Sequence, residues 1–107
     1  MVTDLDQKAQ ITTQHKDDNI IFVGSKPLMN YVTGIVMQFT TYNTPEVAIK
    51  ARGKFISKAV DIAEVAMKRF MDNQIHLRDI KINSEEFTNE EGRLIRVSTI
   101  ELFLKKK

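Results

Sequence analysis

Ile49-Lys50-Ala51-Arg52-Gly53-Lys54-Phe55-Ile56-Ser57-Lys58-Ala59-Val60-Asp61 is where one structural pattern hands over to another. Upstream, Val47, Ile49 and Ala51 alternate with other residues at the strand period of two. Downstream, Phe55, Ile56, Ala59, Val60, Ile62, Ala63, Ala66, Met67, Phe70 and Met71 fill about half of a helical circumference at roughly 100° per residue. Lys58, Asp61, Glu64, Lys68 and Arg69 hold the other half. Four cations, Lys50, Arg52, Lys54 and Lys58, surround Gly53 at the junction. Helix-start amides favour anions, and cations beside them strengthen the preference. The cations continue along the helix instead of converging on a point, so a polymer of phosphates suits them better than a single phosphate.

The rest of the chain supplies the fold around this junction. Ile20-Ile21-Phe22-Val23 is a continuous apolar run ending in Gly24, the pattern of a central strand buried on both faces. Ser25-Lys26-Pro27 reads as a helix start, with Ser25 as cap and proline in the first turn. Leu28, Val32, Ile35, Val36 and Phe39 then recur at helical spacing, and Thr40 to Pro45 breaks the pattern. A second strand covers Glu46 to Ala51, and a second helix runs from Lys54 to about Met71. Its apolar arc is broader than one sheet face needs. The pattern leaves open a generous core helix or a C-terminal part near Phe70 that also meets another subunit.

Ile75 and Leu77 alternate in one phase, Ile80 and Ile82 in the other, which predicts a bulge or bend near Arg78-Asp79. Strand character continues to Phe87, Asn89-Glu90-Glu91-Gly92 supplies a turn, and Arg93 to Leu104 is the last strand before a basic end, Lys105-Lys106-Lys107. The predicted order is β-α-β-α-β-β. Two strand–helix–strand crossovers and a hairpin give an α/β, two-layer architecture, a mixed four-stranded sheet covered by two helices.

Charge is distributed unevenly. Residues 1–18 hold two lysines against four aspartates, a net −2, and read as a polar disordered tail before a domain at 19–107. Those 89 residues hold fourteen cations against ten carboxylates, a net +4. Four of the carboxylates, Glu85, Glu86, Glu90 and Glu91, crowd into Asn83–Gly92, so the body outside that segment is +8. Such a body attracts polyanions at long range. With no cysteine, disulfides and thiolate metal sites are excluded. No apolar run approaches the ~20 residues of a membrane span, and the N-terminal segment lacks a signal-peptide core, so a cytoplasmic setting with no membrane partner is expected.

Catalysis is not expected. His15 lies in the N-terminal segment and His76 stands alone in a strand, and no nucleophile–base pair, metal spacing or Walker motif is visible. The strand–Gly24–helix junction has one glycine, and a proline where a nucleotide loop requires further glycines. No cofactor and no metal site is expected.

Three separated blocks carry a resemblance. They are Val23-Gly24-Ser25-Lys26-Pro27-Leu28-Met29-Asn30-Tyr31-Val32, then Ile49 to Lys54 with Ile56 to Asp61, then Glu91-Gly92-Arg93 with Arg96-Val97-Ser98-Thr99-Ile100-Glu101. In order and spacing they resemble the Alba family of archaeal chromatin proteins over nearly all of 20–107. The resemblance implies a βαβαββ fold like the C-terminal domain of translation initiation factor three. It implies a homodimer, with a heterodimer with a paralogue left open, that coats and condenses double-stranded DNA, often binds RNA, and is associated with the chromosome. By position, Lys26, Asn30, Arg52, Lys54 and Lys58 match the family's nucleic-acid-facing residues. Phe70 matches an aromatic that joins dimers side by side in some members. Tyr31 reads as packing. Arg93 and Arg96 either hold the hairpin base near the nucleic-acid backbone or balance the local glutamates.

Two departures from the family stand out. Ser25 replaces the first lysine of the family's loop, the residue described as its acetylation target, so this control is lost unless Lys26 takes the role. The hairpin is acidic where an arm is expected to meet phosphate, which implies weaker binding, a shifted arm or another use for it. A second reading therefore stands beside the chromatin one: an RNA-binding protein or a subunit of an RNA-processing particle.

Overall fold

Parallel pairing of two strands organises residues 19–107, the part of the chain that the computed structural model describes. The expected tail at 1–18 lies outside the described residues. β1 (Ile20–Phe22) pairs with β2 (Glu46–Arg52) in the register Ile21 to Ile49, and α1 (Leu28–Thr40) is the crossover between them. After β2 come a 3-10 turn (Gly53–Phe55), α2 (Ile56–Val65) and a π-helical turn (Ala66–Phe70). β3 (Ile75–Thr88) and β4 (Leu94–Lys106) form a long antiparallel hairpin. The sheet order is β1-β2-β4-β3, because β4 pairs antiparallel with β2 and leaves β3 outermost. The βαβαββ order and the mixed sheet match the sequence expectation.

Both helices cover one face of this sheet. Ile21, Val47, Ile49, Leu102 and Leu104 face Val32, Ile35, Phe39, Ala59, Ile62 and Ala63 in a single core. The small residues Ala59, Ala63 and Ala66 are fully enclosed or nearly so, the positions where α2 lies closest to its neighbours. One polar pair is buried with them: the Thr44 hydroxyl donates to Gln38 Oε1 at 2.9 Å, and the Thr44 amide donates to the Gln38 carbonyl at 2.9 Å. These bonds offset the cost of taking polar groups out of water and close the end of α1. Asn43, in the left-handed region at φ 54°, turns the chain there into β2.

Several local expectations are corrected. β1 is an edge strand and not a central one, and with both helices on one face only Ile21 and Val23 are enclosed while Phe22 is 70% exposed on the open face. A continuous apolar run resembles a doubly buried strand even when half of it faces out. Ser25 does not cap α1: Pro27 occupies that position, and no side chain bonds the helix start. The helix predicted over 54–71 is divided into three hydrogen-bonding patterns, and Lys105 and Lys106 belong to β4 and not to a loose end.

The predicted bulge is present. Leu77 pairs with Leu104 but Asp79 pairs with Phe103, leaving Arg78 as the extra residue. Beyond Thr99, where pairing with β2 ends, Ser84–Thr88 and Leu94–Ser98 continue as a two-stranded arm. Asn89 makes its turn: its side-chain oxygen accepts from the amides of Glu91 and Arg93, each at 2.9 Å.

Gly53 links β2 to the helical segment with φ 57°. A Cβ there would meet nothing nearer than Val97 Cγ1 at 3.6 Å, so space permits a side chain but the backbone conformation does not favour one. We expect Gly53→Ala to cost about 1–2 kcal/mol, measured by urea unfolding; an unchanged midpoint would show that the turn relaxes freely.

Candidate nucleic-acid interface

Parallel neighbours end side by side, so the loops that follow β1 and β2 emerge at the same end of the sheet. The Val23 amide still donates to the Lys50 carbonyl at 2.9 Å, which carries this alignment into the first residue of the loop. The loop over 23–27 presents Lys26, and the turn over 53–55 presents Lys54, with Arg52 immediately before it; all three side chains are exposed. In open α/β sheets, ligands bind beyond the carboxyl ends of parallel strands. The arm projects past this same end, because β4 outruns β2 beyond Thr99.

The structure thus brings Lys26, Arg52, Lys54 and Lys58 to one end of the molecule, but their ammonium and guanidinium groups are in different situations. Lys26 has no ion-pair partner among the described residues. Lys54 Nζ lies 5.4 Å from the Phe55 ring centroid, a cation–π contact. Arg52 is bridged to Glu85 of the arm at 3.4 Å, and Lys50 to Glu101 at 3.7 Å. Lys58 is half-buried, and its ammonium donates to the carbonyls of Gly24, at 2.8 Å, and Lys26. Asn30 sits half-buried in the first turn of α1. Tyr31 packs against the core, as its reading had it, and its hydroxyl accepts from the amides of Gly24 and Lys26 at 2.9 and 3.2 Å.

Of the two readings for Arg93 and Arg96, the structure does not support a place at the hairpin base. Long antiparallel pairing places Arg93 in the tip turn and Arg96 two residues into β4, so neither is at the hairpin base. Arg96 Nη2 bonds Glu86 at 2.8 Å across the arm, which balances one of the glutamates. The acidic segment is therefore partly neutralised within the chain: Glu85 and Glu86 have cationic partners, while Glu90 and Glu91 at the tip have none among the described residues. The Arg96–Glu86 pair is one that the sequence offered, whereas the Arg52–Glu85 pair escaped sequence reasoning because it joins residues in elements far apart in the chain. The alternation of β2 and β3 gave the faces but not the partner.

Away from this end, Phe70 closes the π-helical turn and remains 49% exposed. Ile80 and Ile82, paired with Leu102 and Ile100, continue the helix-covered face outward beyond the helices and are 51% and 78% exposed. Val60 of α2 is also exposed. Among the described residues, no group of His, Cys, Asp and Glu gathers to hold a metal, and no helix is long and apolar enough to cross a membrane.

Two helices on one face of a mixed sheet, basic loops at the carboxyl ends of the parallel strands and a projecting arm define the class. Comparison with known proteins gives the family. The Alba family model matches residues 19–84. The DNA/RNA-binding protein Alba of Methanocella arvoryzae is 51% identical over 90 residues, covering 84% of this chain and 92% of the relative. Its counterpart in Methanococcus maripaludis is 46% identical over 87 residues, covering 81% and 97%. Among solved structures, Alba from Thermoplasma volcanium superposes with a TM-score of 0.74 at 46% identity, covering 81% of this chain and 99% of that one. The chain belongs to the Alba family.

The Arg52–Glu85 bridge is exposed at both ends, so it is worth at most about 1 kcal/mol. We expect Glu85→Gln to delay elution from a phosphate-bearing cation-exchange resin by more than Glu91→Gln does, because it also frees a guanidinium. Equal delays would mean that Glu85 does not limit Arg52.

Proposed function

We propose that this protein binds double-stranded DNA without sequence preference and coats and compacts it as a homodimer, in a cytoplasmic, chromosome-associated setting, and that it also binds RNA. The single observation that carries this reading is the convergence of Lys26, Arg52 and Lys54, all exposed, at the end where β1 and β2 finish together. Lysines and an arginine spread over two loops suit a line of phosphates, which any sequence presents. Relatives that share about half of their residues with this chain bear the description DNA/RNA-binding. No base-reading helix enters into this proposal; α1 and α2 are spent on covering the sheet.

The homodimer is supported by the uncovered apolar strip of Ile80 and Ile82 beside the helical layer, with Val60 exposed on α2. Contiguous exposed apolar surface of this kind marks association. Phe70 fits a second contact, between dimers. Lys26, exposed in the loop and without an ion-pair partner among the described residues, is the candidate for modification: acetylation would remove its charge and weaken the phosphate contact.

The RNA reading is favoured by one observation, the carboxylates on the arm and beside Arg52, which lower its attraction for a uniformly charged duplex. One titration decides between the two. Binding of a mixed-sequence duplex and of a structured RNA is measured across salt, for the wild type and for Arg52→Ala with Lys54→Ala. We expect comparable affinities for both ligands, and a double variant whose salt slope is flatter by about 0.9 to 1.8 on every duplex sequence. A large RNA preference at every salt would remove the chromatin role, and an unchanged slope would remove this surface. Separately, Phe70→Ala is expected to leave the dimer intact in sedimentation and to lower the cooperativity of duplex binding. A monomeric variant would instead place Phe70 in the primary interface.

A further inference from the structure

The loop between β1 and α1 has little backbone structure of its own. Of its backbone groups, the amide and carbonyl of Gly24 and the amide and carbonyl of Lys26 are all taken by two side chains from elsewhere. Tyr31 receives both amides on its hydroxyl, and Lys58 donates to both carbonyls, across 32 to 34 residues of chain. The two side chains also touch each other, with the Lys58 ammonium 5.3 Å from the Tyr31 ring centroid. The Gly24 groups are part-buried and need partners, the Lys26 groups are exposed, and the same two side chains hold both.

We infer that Lys58 and Tyr31 are positioning residues, a clamp that holds the loop by its backbone and so aims Lys26, and that Lys58 is not itself a phosphate contact. An ammonium has three protons. Two of those on Lys58 are committed to carbonyls, and the group is half-buried, whereas Lys26, Arg52 and Lys54 are exposed. Lys58 stands in the first turn of α2, directly after the turn that carries Lys54. The clamp therefore ties the first basic loop to the element carrying the second, and fixes the distance between the two. A charge near a nucleic-acid surface is ordinarily counted as a contact; this one acts through another residue.

The inference rests on the proposed reading of the two loops as a phosphate surface, and its test has one arm that does not. In the free protein, we expect Lys58→Met and Tyr31→Phe each to speed amide hydrogen exchange at Gly24 and Lys26 while leaving the cooperative thermal transition in place. Unchanged exchange in both variants would overturn the clamp whatever happens to binding. In duplex binding across salt, both variants lose affinity by about threefold to tenfold, the cost of one or two hydrogen bonds. Their salt slopes stay at the wild-type value, and the double variant is no weaker than the weaker single one. Lys26→Met, in contrast, flattens the slope by about 0.9, the loss of one phosphate contact. If Lys58→Met flattens the slope by the same amount while Tyr31→Phe binds like the wild type, Lys58 is a phosphate contact and the inference falls. If Arg52→Ala with Lys54→Ala leaves binding unchanged, the phosphate surface falls instead, and the exchange rates still report on the clamp.

Discussion

The parallel registration of β1 on β2 is the constraint from which the basic end of the molecule follows. Strands that run in the same direction must deliver their following loops to the same edge, whatever those loops contain. Here they contain Lys26 on one side and Arg52 with Lys54 on the other. α1 and α2 then have no choice but to start at that edge and run back over the sheet, which gives the core its second layer. β3 runs out past the same edge and the antiparallel β4 returns through it beside β2, so the arm joins the basic loops without any further device. One pairing thus places loops, helices and arm.

Charge at this end is arranged in a way that a count of lysines and arginines does not convey. Lys50, Arg52 and Arg96 each face a glutamate of the same chain. Such a tethered carboxylate behaves as a counter-ion that cannot diffuse away. When a phosphate takes the guanidinium, the freed glutamate attracts a cation from solution, and part of the ion release that drives polyanion binding is returned. On the proposed phosphate surface, the salt dependence of binding would then understate the number of contacts, and Lys26 and Lys54, with no carboxylate partner among the described residues, would contribute in full.

Much of this was legible in the residues. Period-two alternation over 46–51, helical spacing over 28–39 and the phase slip between Leu77 and Ile80 fixed elements and even the bulge, because each is a local repeat. The basic junction at 50–58 was visible for the same reason. What local pattern does not contain is partnership across the sheet. Ile20 to Val23 looks alike whether one sheet face is covered or two, and only the placement of both helices on one face leaves Phe22 exposed. For Arg93 and Arg96 the sequence left the hairpin base and the local glutamates both open, and the length of the pairing puts the two arginines near the tip. Lys58 reads as one more cation on a polar helix face. Only the folded chain shows that the nearest acceptors to its ammonium are the carbonyls of a loop 32 to 34 residues earlier.

The extra residue at Arg78 has a consequence for how the protein holds together. By restoring parity after the slip, it keeps Ile80 and Ile82 on the same side as Ile75 and Leu104, so the apolar face runs outward without interruption from the enclosed core. The core therefore has an open end. A second molecule laid over that end would lengthen the existing core instead of creating a separate seam. Folding and the proposed association would then draw on the same hydrophobic surface, and resistance to unfolding would become a property of protein concentration as well as of sequence.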